Sequence, residues 1–549
     1  MKTNLLRISV VALAGLVLVS CSSPAKMAKH PELVTTSCKP EVLEVVADVI
    51  HATYTVSFAE GYFHPKAILD VAPVLVYKGG EEAAPVMVLQ GEKIQDNNSV
   101  IPVAGGNISH AILFNYKPGM EVSHLELRLT VADQKGNRYP YPYPYKVADG
   151  AIITYKLVGL SGQPAFAPDA YQAVIREQKE AQIMYLVNSA TVRPKELTKA
   201  EIKDFEQFLA NAAKDERREV KNTEIIAYAS PEGPTPFNNQ LSASREKSAQ
   251  AAYKNATKKI TTGVDLKTAS MGEDWDGFKT LVAQSNIKDK DLILRVLEMY
   301  SDPNVREREI RNMSVVFTTL QEKVLPELRR ARWIANVDFT NYSHEELLAM
   351  VETSLNKLDE EALLRVGTLL NNNSDKMKVY KQAAEKFNSS RGYTNLAVCQ
   401  LNANDVAAAK ASLGKAFNQD AFVKHNLGVV AMREGKFDDA YALFGQAGLT
   451  ESKFNMGAID INKGKYADAV IKLAGEGHHN EALAYLLTNQ IDKAAAIMKC
   501  ECPKASYIRA IIAARKGNKA AWAKEMEAVN ANATFKARAE NDIEFAKMK

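Results

Sequence analysis

The last third of this chain repeats itself, and that constrains its fold more than any other feature. Segments at Asn395, Asn426 and Asn455 read Asn-Leu-Ala, Asn-Leu-Gly and Asn-Met-Gly, with starts 31 and then 29 residues apart. Thirteen positions after each Leu or Met stands a small residue, Ala409, Ala440 or Ala469, and four steps later a large one, Leu413, Phe444 or Leu473. Two copies carry a Gly-Lys-aromatic turn, Gly435-Lys436-Phe437 and Gly464-Lys465-Tyr466. A period of this size suits helical pairs that bury their apolar faces only by stacking on the next pair. Weaker units follow at Ala482–Met498, with Ala494 in the small position, and near Tyr507–Met526. Residues 341–387 are expected to hold preceding helical pairs.

This pattern resembles the tetratricopeptide repeat, in which small residues let paired helices pack and the aromatic closes the turn. The resemblance implies an all-α solenoid over 341–549 whose concave face receives protein segments. Arrays of this kind seldom carry out chemistry.

The N-terminus reads as an address. Lys2 and Arg7 precede the apolar run Ile8–Val19, which is too short to span a bilayer. Leu18-Val19-Ser20-Cys21 resembles a lipobox, which implies a signal peptide at 1–20 and lipidation of Cys21. Each buried acyl methylene would contribute about 0.8 kcal/mol to anchoring. Residues 21–44 read as a polar, basic tether without the acidic run that directs some lipoproteins to the cell surface. The expected location is the inner leaflet of the outer membrane, facing the periplasm. With 69 Lys+Arg against 65 Asp+Glu and no basic stripe, nucleic acid is not an expected partner. Apart from Cys21, Cys38, Cys399, Cys500 and Cys502 are too few for a disulfide framework. The Cys-x-Cys at 500–502 lacks zinc-site spacing, and His478-His479 reads as a polar turn between helices, so no metal is expected.

Residues 45–160 follow period two. Leu125, Leu127, Leu129 and Val131 alternate with Glu126, Arg128 and Thr130, and Gly/Asn/Pro clusters separate the short runs. This predicts a small antiparallel β-sandwich. Tyr139, Tyr141, Tyr143 and Tyr145 alternate with prolines. Such a ribbon belongs on an edge, because proline removes backbone donors. Its rings either cover the sandwich or contact a protein or sugar partner.

Residues 172–340 alternate strands and helices. Strands are expected at Ile183–Val187, Thr223–Ala229, Leu266–Met271 and Arg332–Phe339, with further helices before the last. One helix carries Ile202, Phe205, Phe208 and Leu209 on a face. Between the second strand and a helix opening on Asn238 lies Ser230-Pro231-Glu232-Gly233. Gly233, Asn238, Leu241, Ser242 and Arg245 fall in register with a signature of the OmpA C-terminal-like family. That resemblance implies an α+β domain of β/α/β/α/β order and a peptidoglycan ligand. It also implies that Arg245 grips a stem-peptide carboxylate, which suits a guanidinium fork. Ser230 stands where the family has its ligand-binding Asp, and Glu232 is the candidate replacement. The other reading of the segment is structural: Asn238 as an N-cap, Leu241 as a core anchor and Arg245 in a buried ion pair.

Neither a nucleophile constellation nor a cofactor loop appears, so no catalysis and no cofactor are expected. Glu273, Asp274 and Asp276 read as a solvated loop. The chain as a whole reads as a multidomain scaffold that links the outer membrane, and peptidoglycan through its middle domain, to protein partners. A subunit of a secretion or outer-membrane assembly machine would fit. The alternative is a surface-exposed glycan-binding or adhesion lipoprotein using the Tyr-Pro ribbon.

Overall fold

A computed structural model describes residues 21–260 and 263–549, so the signal-peptide reading of 1–20 lies outside the described residues. The chain divides into two compact units. One runs to Ala167 and resumes at Tyr380; the other is Pro168–Val379. The N-terminal β-rich region and the helical repeats therefore belong to one unit, and the helices His344–Thr353 and Glu360–Leu369 fall with the middle region.

In the first unit, alternation produces strands as expected. Leu125, Leu127, Leu129 and Val131 in the strand Ser123–Ala132 are all buried. The two-sheet sandwich requires correction. The strand Val42–Val46 pairs antiparallel with Val49–Phe58 and parallel with Tyr145–Ile152, joining both halves into one 11-stranded sheet. The tether at 21–44 also requires correction. Val34–Lys39 is a strand paired with Val49–Phe58, and Met27 is fully buried beneath the Tyr62 hydroxyl, which donates to its carbonyl at 2.8 Å. Val34 and Cys38 alternate inward there, a pattern hidden by the polar Thr and Ser between them.

Among the described residues, five helical hairpins form the array: Ser390–Asn402 with Val406–Lys415, Ala421–Arg433 with Phe437–Ala447, Thr450–Asn462 with Tyr466–Leu473, His479–Leu487 with Ile491–Ile497, and Pro503–Arg515 with Lys519–Ala531. Ala409, Ala440, Ala469 and Ala494 are fully buried, which is why those positions are small. The residue two after each Asn is small for the same reason. A Cβ on Gly428 would lie 2.7 Å from the Phe444 ring, and one on Gly457 would lie 2.5 Å from Leu473 Cγ. Each turn is made by a left-handed residue, Asn404, Gly435, Gly464, Asn489 or Gly517. The later hairpins share a continuous core with the sheet. Thr154 Oγ1 donates to Glu544 at 2.7 Å, and the same carboxylate accepts from Arg515 Nε at 3.0 Å.

The middle unit has a four-stranded sheet ordered Val174–Met184, Arg330–Thr340, Arg218–Ala229, Leu266–Glu273. Only the last pair is parallel. Ile202, Phe205 and Leu209 of the helix Ala200–Ala212 are fully buried, and Phe205 and Tyr253 pack on Trp333 of the central strand. The first strand corrects the expected Ile183–Val187: it starts well before Ile183 and ends at Met184. Its early part is highly charged because it is an edge, where charge deters further pairing, and Arg176 faces Asp338 across the sheet at 3.2 Å.

Gly457→Ala should destabilise the first unit by about 1–3 kcal/mol, since the added methyl overlaps a fully buried Leu473. Urea denaturation of the purified chain measures this, and an unchanged midpoint would refute the packing argument.

Candidate functional site: a backbone clamp on the helical array

Asparagine is a poor choice for a helix interior, and a buried amide needs partners. Asn395, Asn426 and Asn455 nevertheless sit in the first helices of three hairpins at 0%, 0% and 4% exposure. Their partner is the segment Val158–Ala167, which leaves the β-rich region and runs along those helices without regular secondary structure. Asn395 Oδ1 accepts the Ala167 N–H at 2.7 Å while its Nδ2 donates to the Ala167 carbonyl at 2.9 Å. Asn426 holds Ala165 at 3.1 and 2.8 Å, and Asn455 holds Gln163 at 2.8 and 3.0 Å. Asn480, in the fourth hairpin, grips Gly159 at 2.9 and 3.1 Å.

Each side-chain amide thus satisfies both backbone groups of one residue, as a neighbouring strand would. Gln163, Ala165 and Ala167 are alternate residues, as in a strand whose peptide groups turn by period two, and the left-handed Gly162 separates them from Gly159. Pro164 falls between two clamped residues, where its missing N–H costs nothing. A Cβ on Gly162, which is in left-handed conformation, would come 3.1 Å from Val429 and 3.3 Å from Met432. Phe166 instead stacks on Tyr380, ring centroids 5.7 Å apart.

His425 adds a polar contact at the centre. It is fully buried, with Nε2 2.8 Å from the Gln163 carbonyl and Nδ1 2.7 Å from Ser452 Oγ. A carbonyl can only accept, so Nε2 carries the proton and Nδ1 accepts from the serine. Burial holds the imidazole below its ordinary value of 6.5, outweighing the Gln163 carbonyl, which favours the charged form. Arg433 Nε donates to the Ser161 carbonyl at 2.6 Å. Beside Gly159 a polar cleft of about 300 Å³ opens between the segment, Glu476, His479 and Lys504. The first helices of four hairpins are therefore engaged by the chain's own residues. Asn480 was the missed member. Asn480-Glu481-Ala482 continues the Asn-x-small pattern, and a recurring buried-position asparagine was the available signal.

The middle unit gathers the four candidate ligand residues into one corner. The helix there begins at Thr235, three residues earlier than expected, so Asn238 does not cap it. Asn238 is buried in the first turn instead, and its Nδ2 donates to the Gly233 carbonyl at 2.7 Å and to Glu273 at 2.9 Å. Ser230 Oγ donates to Glu232 at 2.7 Å, and Glu232 receives the Arg329 fork at 2.8 and 3.1 Å. Arg245 is 1% exposed. It donates to the carbonyls of Ser189, Tyr228 and Leu186 at 3.0, 2.9 and 3.1 Å and lies over the Tyr185 ring. Burial brings its guanidinium down to about 10. Its partners are carbonyls rather than the carboxylate of an ion pair. The acidic loop is likewise engaged: Asp274 caps the helix Trp275–Gln284 and pairs with Arg330, and Glu273 accepts from Trp275 Nε1 at 2.9 Å.

Three of the four ribbon tyrosines are tied into the β-rich region. Tyr139 donates to Asp133, Tyr141 meets the Tyr62 hydroxyl at 2.6 Å, and Tyr145 donates to the Pro31 carbonyl at 2.6 Å. Tyr143 is 51% exposed. Cys21 is buried, with its backbone N–H on the Gly61 carbonyl.

No protein-family model matches this chain, and no curated protein matches it. Among solved structures, it resembles one from a functional study of pilF of Pseudomonas aeruginosa, with 13% identity, 34% of this chain and 92% of that one covered, and a TM-score of 0.27. A tetratricopeptide repeat protein from Parabacteroides merdae matches at 13% identity over 38% of this chain and 91% of that one, with a TM-score of 0.27. The APC/C hetero-tetramer Cut9–Hcn1 matches at 12% identity over 57% of this chain and 71% of the other, with a TM-score of 0.31.

Asn426→Ala strips Ala165 of both partners and should cost about 1–3 kcal/mol. Hydrogen exchange at the Ala165 amide should accelerate more than exchange in the Phe437–Ala447 helix, and equal acceleration would refute the clamp. His425 is held neutral when folded, so its contribution is complete above pH 6.5 and declines as pH falls below that value. The stability difference between the native chain and His425→Asn should therefore be larger at about pH 7.5 than at about pH 5.5 by urea denaturation. A difference independent of pH would contradict this.

Proposed function

We propose that this protein is a non-enzymatic, lipid-anchored scaffold of the outer membrane, facing the periplasm, whose helical array organises protein partners. The observation that carries the reading is the asparagine clamp: a helical array holding a peptide segment by its backbone is built for binding chain, not for transforming it. Because Val158–Ala167 fills the clamp, partners engage by displacing that segment or on surfaces outside it. Phe417 and Ile471, 61% and 76% exposed, are apolar positions outside it.

The anchor rests on the lipobox-like Leu18-Val19-Ser20-Cys21. Acylation would draw Cys21 out of its buried seat, and the β-rich region would then lie close against the bilayer, since residues 24–46 are folded into it. No helix among the described residues is long and apolar enough to cross a membrane. The OmpA-like reading of the middle unit is supported by the succession of strand, helix, strand, helix and strand, with further helices before the last strand. Wall binding has weaker support. A stem-peptide carboxylate would have to compete with three carbonyls for Arg245, and Glu232 is already paired with Arg329.

Labelled palmitate should enter the native chain and not Cys21→Ala, and the variant should leave the membrane fraction. Failure of the native chain to incorporate label would sink the anchor. Cross-linking in intact envelopes should recover partner proteins with the native chain; recovery of none would sink the scaffold reading.

A further inference from the structure

We propose that His479, Cys500 and Cys502 form a binding site for a thiophilic d10 cation, Zn²⁺ or Cu⁺. The three residues are remote in sequence pattern yet converge through the repeat architecture. His479 opens the first helix of the fourth hairpin, while Cys500 and Cys502 lie in the loop that enters the fifth. Stacking of successive hairpins brings that loop beside the first turn of the preceding one. His479 Nε2 lies 3.0 Å from Cys502 Sγ and 3.3 Å from Cys500 Sγ, and the two sulfurs are 3.2 Å apart. One donor atom from each residue fits within 4.8 Å of the others. Donors around a tetrahedral zinc with Zn–S about 2.3 Å and Zn–N about 2.0–2.1 Å stand roughly 3.5–3.8 Å apart. The trio reaches that spacing if each pair opens by roughly half an ångström or less, and the Cys500 side chain is exposed.

Cys502 is the residue before the helix Pro503–Arg515, where backbone N–H groups and the helix dipole favour negative charge. The loop is held from behind. Arg509 donates to the Cys500 carbonyl at 2.6 Å and pairs with Glu525 at 2.9 Å. Two sulfurs and one imidazole form a soft donor set, which suits Zn²⁺ and Cu⁺ and disfavours Mg²⁺ or Ca²⁺. Three donors complete a trigonal Cu⁺ site and leave Zn²⁺ one position for water or a further ligand. Either ion would staple the fourth hairpin to the fifth, adjacent to the point where Asn480 grips Gly159. The Cys-x-Cys spacing alone gives no such site, and the missing partner was the histidine that the repeat fold delivers.

The test uses the full chain, untagged and reduced with a phosphine, titrated with Co²⁺ as a spectroscopic substitute for zinc. A sulfur-to-cobalt charge-transfer band at one equivalent, bleached by Zn²⁺, is the expected result. Competition against a Cu⁺ chelator distinguishes the two ions, and uptake of either supports the site. Cys500→Ser should abolish the band, and His479→Gln should weaken binding by about tenfold or more, with circular dichroism confirming that both variants fold. Zn²⁺ should raise the unfolding temperature of the native chain and not of Cys500→Ser. Absence of both the cobalt band and Cu⁺ uptake in the reduced native chain would overturn the proposal. Retention of native affinity by the Cys500→Ser, Cys502→Ser double variant would do the same.

Discussion

Four asparagines, three of them buried, hold one segment by its backbone, and the first unit depends on that arrangement. A carboxamide offers a donor and an acceptor side by side in one plane, matching the N–H and C=O of a single residue. In the middle of a helix this choice forfeits propensity, and without a partner it leaves buried polar atoms unsatisfied. The segment Val158–Ala167 would face the same difficulty alone, having no strand to pair with. Each element supplies what the other lacks, so neither is complete by itself.

The middle unit uses a charged side chain to similar effect. Arg245 joins one carbonyl near the end of the strand Arg218–Ala229 to two in the loop after Val174–Met184, and its burial is tolerated because each contact is charge-assisted. A residue type expected to contact a ligand therefore serves as an internal tie. Glu232 and Arg329 form a second tie beside it, partly open to solvent.

Much of the helical array was legible in the sequence, because small and large positions recur at fixed offsets and packing forces them to. Three expected strands of the middle unit are present, whereas the first, expected at Ile183–Val187, lies at Val174–Met184 and shares only two residues with the expectation, because edge charges conceal its pattern. Other features were illegible for definable reasons. Val34–Lys39 hides its two inward residues among Thr and Ser, so it looked like a tether. The parallel pairing of Val42–Val46 with Tyr145–Ile152 joins residues a hundred positions apart, and no local period encodes it. The asparagines mark the repeat in the sequence, but nothing local shows what they bind, because their partner lies far upstream. His479 and the two cysteines were legible singly and not together, since only stacking of the hairpins unites them.

Repeat arrays ordinarily tolerate gain or loss of a unit, because each contacts only its neighbours. This one has a ruler laid along it. Gly159, Gln163, Ala165 and Ala167 meet the fourth, third, second and first hairpins in turn. Removing one of these four would put the rest out of step with the segment, and inserting one among them would leave an amide facing nothing. The fifth hairpin lies beyond the ruler's end. The spacing of the four is thus matched to ten residues that are not themselves part of any repeat.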